Sequence, residues 1–143
     1  MAGSVLRDAG SGYSLTYPAG WVVVETGSPA DFHFLASRTG LMNARGLTGS
    51  DFWFSAVASA PDPTIRCGAP LGSLTQIAIS MDGVAGNLYT RRGVQDSDFP
   101  TGDAIAERGG RCYHLQLTGG PAVATTEVGN LLGTIALSFR FNQ

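Results

Sequence analysis

Four acidic side chains, Asp96, Asp98, Asp103 and Glu107, fall within one short stretch of the chain. Carboxylates at loop positions one, three and twelve supply the oxygen ligands of a calcium loop, and Asp96, Asp98 and Glu107 have that spacing. Two neighbours break the match. Pro100 stands where the fifth position needs a ligand, and Thr101 stands where the sharp turn needs Gly. These carboxylates are therefore weak metal candidates, and side chain-to-backbone turns in a connecting loop are the ordinary reading of them.

Cys112 and His114 share one face of a predicted strand, which puts a thiol and an imidazole two residues apart. That spacing is about 6.5 Å along a strand, beyond the contact a general base requires. His33 and Asp31, with Phe32 between them, meet the same objection. Two histidines cannot complete a three-His zinc site, and no close Cys or His pair has chelate spacing. The chain has no Gly-x-Ser-x-Gly elbow; Gly10-Ser11-Gly12 and Gly49-Ser50-Asp51 read as turns. Nor can it build a phosphate-binding loop of the Walker type, because it contains no Lys. No catalytic residue is named on these grounds, and no cofactor is implied.

Recognition chemistry is better represented. Aromatic and Arg side chains dominate interface hot spots, which makes Arg91, Arg92, Phe99 and Trp53 the candidate binding residues. Phe99 sits in an acidic turn, either exposed or tucked under its own loop; Trp53 can equally pack beneath a helix. Cys67 and Cys112 are the only cysteines. They read either as one disulfide or as two buried thiols, since spacing cannot supply geometry. A bridge would contribute roughly 3 to 4 kcal/mol in the chain-entropy account and would suit an oxidising compartment.

The elements that must carry these residues can be read from alternation. Val5 to Asp8 and Tyr13 to Tyr17 flank Ala9-Gly10-Ser11-Gly12 and predict a hairpin. In the second run Tyr13, Leu15 and Tyr17 share one face, the period of a half-buried strand. Trp21 to Glu25 and Phe32 to Ala36 predict two more strands. Phe52 to Ala58 has apolar residues on both faces and predicts a strand covered on both sides. Pro61 to Ser73, with three prolines, reads mostly as loop. Ile77 to Met81 and Val84 to Thr90 flank Asp82-Gly83, a strong hairpin signal; Ala104 to Arg108 and Arg111 to Leu117 flank Gly109-Gly110 and predict a third hairpin. Near the end, Val128, Leu131, Leu132, Ile135 and Phe139 recur at helical spacing, with Thr125 or Thr126 as the expected cap and Glu127 in the first turn.

At 143 residues the chain has the size of one domain, residues 1–143, with Met1-Ala2-Gly3-Ser4 reading as an added start or linker. Its 20 glycines and 7 prolines require frequent turns. A formal charge of -2 offers no basic field for phosphate backbones, so no nucleic-acid partner is expected. All nine basic residues are Arg, which fits a GC-rich coding sequence. No apolar run reaches the roughly 20 residues of a membrane helix, and no secretion signal is present within the chain.

The segment Gly12-Tyr13-Ser14-Leu15-Thr16-Tyr17-Pro18-Ala19-Gly20-Trp21 resembles the opening of PsbP-like domains, where an aromatic strand ends at a Tyr-Pro turn and a Trp begins the next strand. Leu131 to Phe141 looks like the closing helix of that superfamily, with its Ser138-Phe139 tail, and Ile79 to Gly86 is similar to its central hairpin. The resemblance implies an α+β fold: an α/β/α sandwich around an antiparallel sheet of about five to seven strands, with a C-terminal helix. It also implies accessory roles, since such domains include extrinsic photosystem subunits, bacterial lipoproteins, secretion adaptors and a nuclear-import factor. Between Ala60 and Thr75 the resemblance calls for a helix against the sheet, and the sequence there is loop-like.

The expectation is a non-catalytic, extracytoplasmic binding or accessory domain, secreted or lipid-anchored, with a protein partner and a recognition edge around Arg91 to Asp103. The alternatives are a small metal-dependent hydrolase using Asp96 to Glu107, with His114, and a structural protein that self-associates through a sheet edge.

Overall fold

The computed structural model describes residues 3–27, 32–60, 62, 64, 67–70, 75–91 and 99–142. Ten strands and one α-helix follow in the order β1 (Gly3–Asp8), β2 (Tyr13–Pro18), β3 (Val22–Thr26), β4 (Phe32–Ala36), β5 (Phe52–Ala58), β6 (Thr75–Met81), β7 (Val84–Arg91), β8 (Thr101–Arg108), β9 (Arg111–Gly119), α1 (Thr125–Leu137) and β10 (Arg140–Phe141). All nine runs read as strands from alternation are strands. The class is α+β, and all strand pairing is antiparallel.

The main sheet has seven strands in the order β3-β4-β5-β9-β8-β7-β6. The first hairpin does not join it. Instead β1, β2 and the short β10 form a separate three-stranded sheet in the order β1-β2-β10. Two hairpins turn as their sequences dictate. Asp82 and Gly83 have φ of 52° and 83°, and Gly109 and Gly110 have 60° and 75°, the paired left-handed conformations of a two-residue turn that follows the strand twist.

One face of the main sheet meets α1 and the small sheet. Phe54, Ala56, Leu115, Leu117, Ala104 and Leu88 project there against Val128, Leu132, Ile135 and Phe139, all buried. Gly102 lets the helix side chains sit close on β8, since a Cβ on it would lie 3.0 Å from Leu132 Cδ2 and 3.1 Å from Val128 Cγ1.

The two stretches that carry the family resemblance have structural reasons. Gly20 adopts φ 92° and Trp21 N donates to Pro18 O at 3.3 Å, closing the corner after β2; Trp21 then stacks on Phe52 at 5.8 Å. At the other end Ser138 Oγ accepts from Thr16 N at 2.8 Å and donates to Ile135 O at 2.6 Å, tying the helix end to β2. Phe139, just past the helix, stacks on Tyr13 with centroids 5.1 Å apart.

The helix N-terminus differs from expectation. Ala124 occupies the cap position and has no side-chain acceptor, so neither Thr125 nor Thr126 caps the helix. The chain enters through a turn in which Val123 N donates to Gly120 O at 3.0 Å, and the Val123 side chain is buried. Packing of Val123, supported by Glu127 Oε1 3.5 Å from Ala124 N, sets the helix start instead.

Among the described residues α1 is the one α-helix, and it covers one face. The opposite face is covered differently. A second small core of Ala36, Leu41 and Leu47, with Trp53, Val22 and Val24 against it, lies under the segment 37–51, which holds a single 3-10 turn at Ala44–Gly46. Cys67 and Cys112 are bonded, Cα to Cα 5.8 Å, so a disulfide ties residues 67–70, none of them in helix or strand, to β9. That segment is where the family resemblance calls for a helix.

Candidate functional site

The face of the main sheet opposite α1 gathers most of the candidate residues, and the strand register explains why. Directly opposed residues of neighbouring strands project to the same side. Arg91 opposes Thr101, Tyr89 opposes Asp103, Asp103 opposes Gln116, and Ile105 opposes His114. On the other flank of β9, Val57 opposes His114, Ser55 opposes Gln116 and Trp53 opposes Thr118. Arg91, Asp103, His114, Gln116 and Trp53 therefore share one side of four strands.

Asp103 is the centre of this group. Its carboxylate is fully buried and is held from three directions: His114 Nε2 at 2.7 Å and Gln116 Nε2 at 2.9 Å reach Oδ1, and Arg91 Nε reaches Oδ2 at 3.2 Å. Burial works to raise the carboxyl's pKa. The hydrogen bonds from His114 and Gln116, with the charges of His114 and Arg91, outweigh it and hold Asp103 below the ordinary carboxylate range.

An ionised carboxylate only accepts, so the His114 Nε2 that faces it carries a proton. The His114 side chain is 37% exposed and that of Arg91 15%, against 0% for Asp103. A buried anion thus fixes an imidazole and a guanidinium at a partly exposed surface. Chemically this can present the outer edge of an imidazole and further guanidinium donors side by side. It has no thiol nucleophile, because Cys112, next but one to His114, is bonded to Cys67.

Trp53 and Phe99 border the same region but are packed. Both lie partly buried against Ala36, Leu41 and Leu47, and Trp53 stacks on Phe34 at 5.8 Å. Trp53 is therefore covered by the 37–51 segment where a helix was one expectation. Arg92, Asp96 and Asp98 lie outside the described residues. Asp103 is in the middle of β8, not in a connecting loop as expected, and Glu107 is four residues further along that strand, about 13 Å away. Those two carboxylates cannot share one ion. Among the described residues no group of three or more His, Cys, Asp or Glu could hold a metal.

Both histidines have carboxylate partners that sequence neighbours did not indicate. His114 bonds Asp103 across a strand pair; His33 bonds Asp8, with His33 Nε2 and Asp8 Oδ2 2.9 Å apart, and Thr26 Oγ1 lies 3.1 Å from His33 Nδ1. Asp31 lies outside the described residues. One signal could have found the first pair: counting outward from the two-residue turn at Gly109-Gly110 sets Asp103 opposite Gln116 and diagonal to His114.

Compared with known structures, the chain is similar in fold to two. A crystal structure from Bacteroides thetaiotaomicron VPI-5482 superposes over 100% of this chain and 50% of its own, with TM-score 0.61 and 11% identity. This chain spans half the length of that protein. The solution structure of cyanobacterial PsbP from Synechocystis sp. PCC 6803 superposes over 99% of this chain and 94% of its own, with TM-score 0.60 and 16% identity. No protein-family model matches the sequence, and no curated protein sequence matches it. The architecture built around Asp103 is thus a PsbP-like fold.

Proposed function

We propose that the protein is a non-catalytic accessory domain acting outside the cytoplasm, and that it binds a protein partner on the sheet face opposite α1. The observation that carries this reading is Asp103: a fully buried carboxylate whose three side-chain partners converge from β7 and β9. Preorganisation of this kind lowers the ordering cost of binding. Arg91 and His114 are then the recognition groups, Asp103 and Gln116 position them, and Trp53 and Phe99 form an apolar shoulder. Guanidinium donors beside an imidazole suit a carboxylate- or amide-bearing segment of the partner. The Cys67–Cys112 disulfide supports an oxidising compartment, and no described helix is long and apolar enough to cross a membrane.

The test is affinity capture from the extracytoplasmic fraction of the source cells, comparing wild type with Arg91→Ala and His114→Ala. A partner held by wild type and lost by both variants, with circular dichroism unchanged, is the expected result. Equal retention by all three proteins would remove this face from the interaction.

A further inference from the structure

On the helix side of the sheet, the face away from the Asp103 side chain, a groove of about 670 Å³ runs between α1 and the edge strand β6. Its volume falls within the roughly 300–1,000 Å³ of small-molecule sites. Among the described residues, no Asp, Glu, Arg or His lines it.

The lining is segregated by polarity, and the register shows how. Thr75 opposes Thr90 and Ile77 opposes Leu88, while Ile79 opposes Gly86. A Cβ on Gly129 would lie 3.2 Å from Thr90, and one on Gly133 would lie 3.8 Å from Leu88. The first half of α1 therefore faces the threonine end of β6, and the second half faces its isoleucines. At the first end stand Thr75, Thr90, Thr125, Thr126 and the Asn130 amide; at the other stand Ile77, Ile79, Leu88 and Leu137. Two polar side chains fall towards the apolar end, and both are satisfied internally: Thr134 Oγ1 donates to Asn130 O, and Ser80 Oγ accepts from Gly83 N. At the polar end Thr75 and Thr90 bond each other and retain acceptor capacity. Among the described residues, the Thr125, Thr126 and Asn130 side chains have no intramolecular partner.

We propose that this groove binds a neutral amphiphile: an elongated apolar chain along Ile77, Ile79 and Leu88, with an uncharged hydroxyl or amide end among the threonines and Asn130. The occupant is uncharged because the described lining offers no counter-ion, and burying an unpaired charge there is costly. Two openings make the apolar end available. Gly133 leaves the space a side chain would fill, and Ile77 and Leu137 remain 57% and 69% exposed.

The probe is 1-decanol, with decanoate and decyltrimethylammonium as charged counterparts of equal chain length, followed by amide chemical shifts. The expected result is saturable binding of 1-decanol with shifts confined to β6, β7 and α1, and weaker binding of both ions. Gly133→Leu is expected to fold at least as stably, since Gly disfavours a helix interior. It should bind 1-decanol roughly tenfold more weakly, since each methylene kept out of an apolar site is worth about fourfold. Ile77→Asp, at an exposed position, should weaken 1-decanol binding in the same direction. Absence of saturable 1-decanol binding, binding indifferent to Gly133→Leu, or equal binding of the two ions and the alcohol would each overturn the proposal. Shifts at β6, β7 and α1 without shifts at His114 and Gln116 on β9 keep this test distinct from the partner face.

Discussion

Asp8 on β1 and His33 on β4 join the two sheets through one hydrogen bond, Oδ2 to Nε2 at 2.9 Å, with both side chains excluded from solvent. Asp8 Oδ1 also accepts from Ser11 N at 2.8 Å, and His33 Nδ1 lies within reach of Thr26. Each ring nitrogen and each carboxylate oxygen is thus matched. Ala at position 8 would leave the imidazole buried without its acceptor. Asp8→Ala should lower stability by about 3 kcal/mol, read as a shift in urea midpoint at pH 7. A loss under about 1 kcal/mol would mean that apolar packing and the other bonds between the sheets, Arg111 Nη2 to Ser11 Oγ at 3.0 Å and Phe141 N to Asp82 Oδ2 at 2.9 Å, dock the small sheet without it.

Asp103 makes a prediction about acid. Its folded pKa is depressed, so its contribution to stability is complete above the unfolded value of about 3.9 and is lost as pH falls through the lower folded value. Asp103→Asn should therefore cost about 3 kcal/mol at pH 7. The gap between variant and wild type should narrow as pH falls below about 4. Urea midpoints of both proteins across that range give the comparison; parallel curves would show that Asp103 is not the titrating group.

The disulfide spans 45 residues of sequence. In the chain-entropy account a loop of that length corresponds to about 4 kcal/mol. The double variant Cys67→Ser, Cys112→Ser should lose approximately that much, and dithiothreitol should have the same effect on wild type and none on the variant. Mass spectrometry after alkylation, with and without reductant, identifies the bridge directly.

Gly86 on β7 is constrained by its neighbour strand. A Cβ there would lie 2.6 Å from the Ile105 carbonyl oxygen and 3.2 Å from Ala106 Cβ. Backbone cannot move aside as a side-chain tip can, so Gly86→Ala should cost about 2 kcal/mol as overpacking. Gly68, with no described atom within 4 Å of its Cβ position, is the control: Gly68→Ala should leave the thermal midpoint unchanged.

Alternation and turn chemistry made nine strands, two hairpin turns and the helix legible before any coordinates, because these signals are local. Tyr13, Leu15 and Tyr17 alternate, and Asp82-Gly83 and Gly109-Gly110 supply left-handed φ where the turns need it. Three features were not local. β10 is only Arg140–Phe141, too short to show a period. The 37–51 segment has no regular period, yet its Leu41 and Leu47 are buried against the sheet. The helix cap was misplaced because Val123 packing overrides the hydroxyls of Thr125 and Thr126.

The candidate site divides along the same line. Its residue types were present in the sequence: Arg91, Trp53, Phe99 and Asp103 could each be singled out. Their roles were not, because period two tells which side of its own strand a residue takes and nothing about the strand next to it. Asp103 and His114 are 11 positions apart, and Asp8 and His33 are 25 apart; pairing of β8 with β9 and docking of the small sheet close those distances. The sequence by itself determined the local elements and an even number of cysteines. Tertiary structure decided which carboxylate meets which imidazole and whether the thiols meet, since burial leaves a charged or polar group stable only where the assembled sheets bring it a partner.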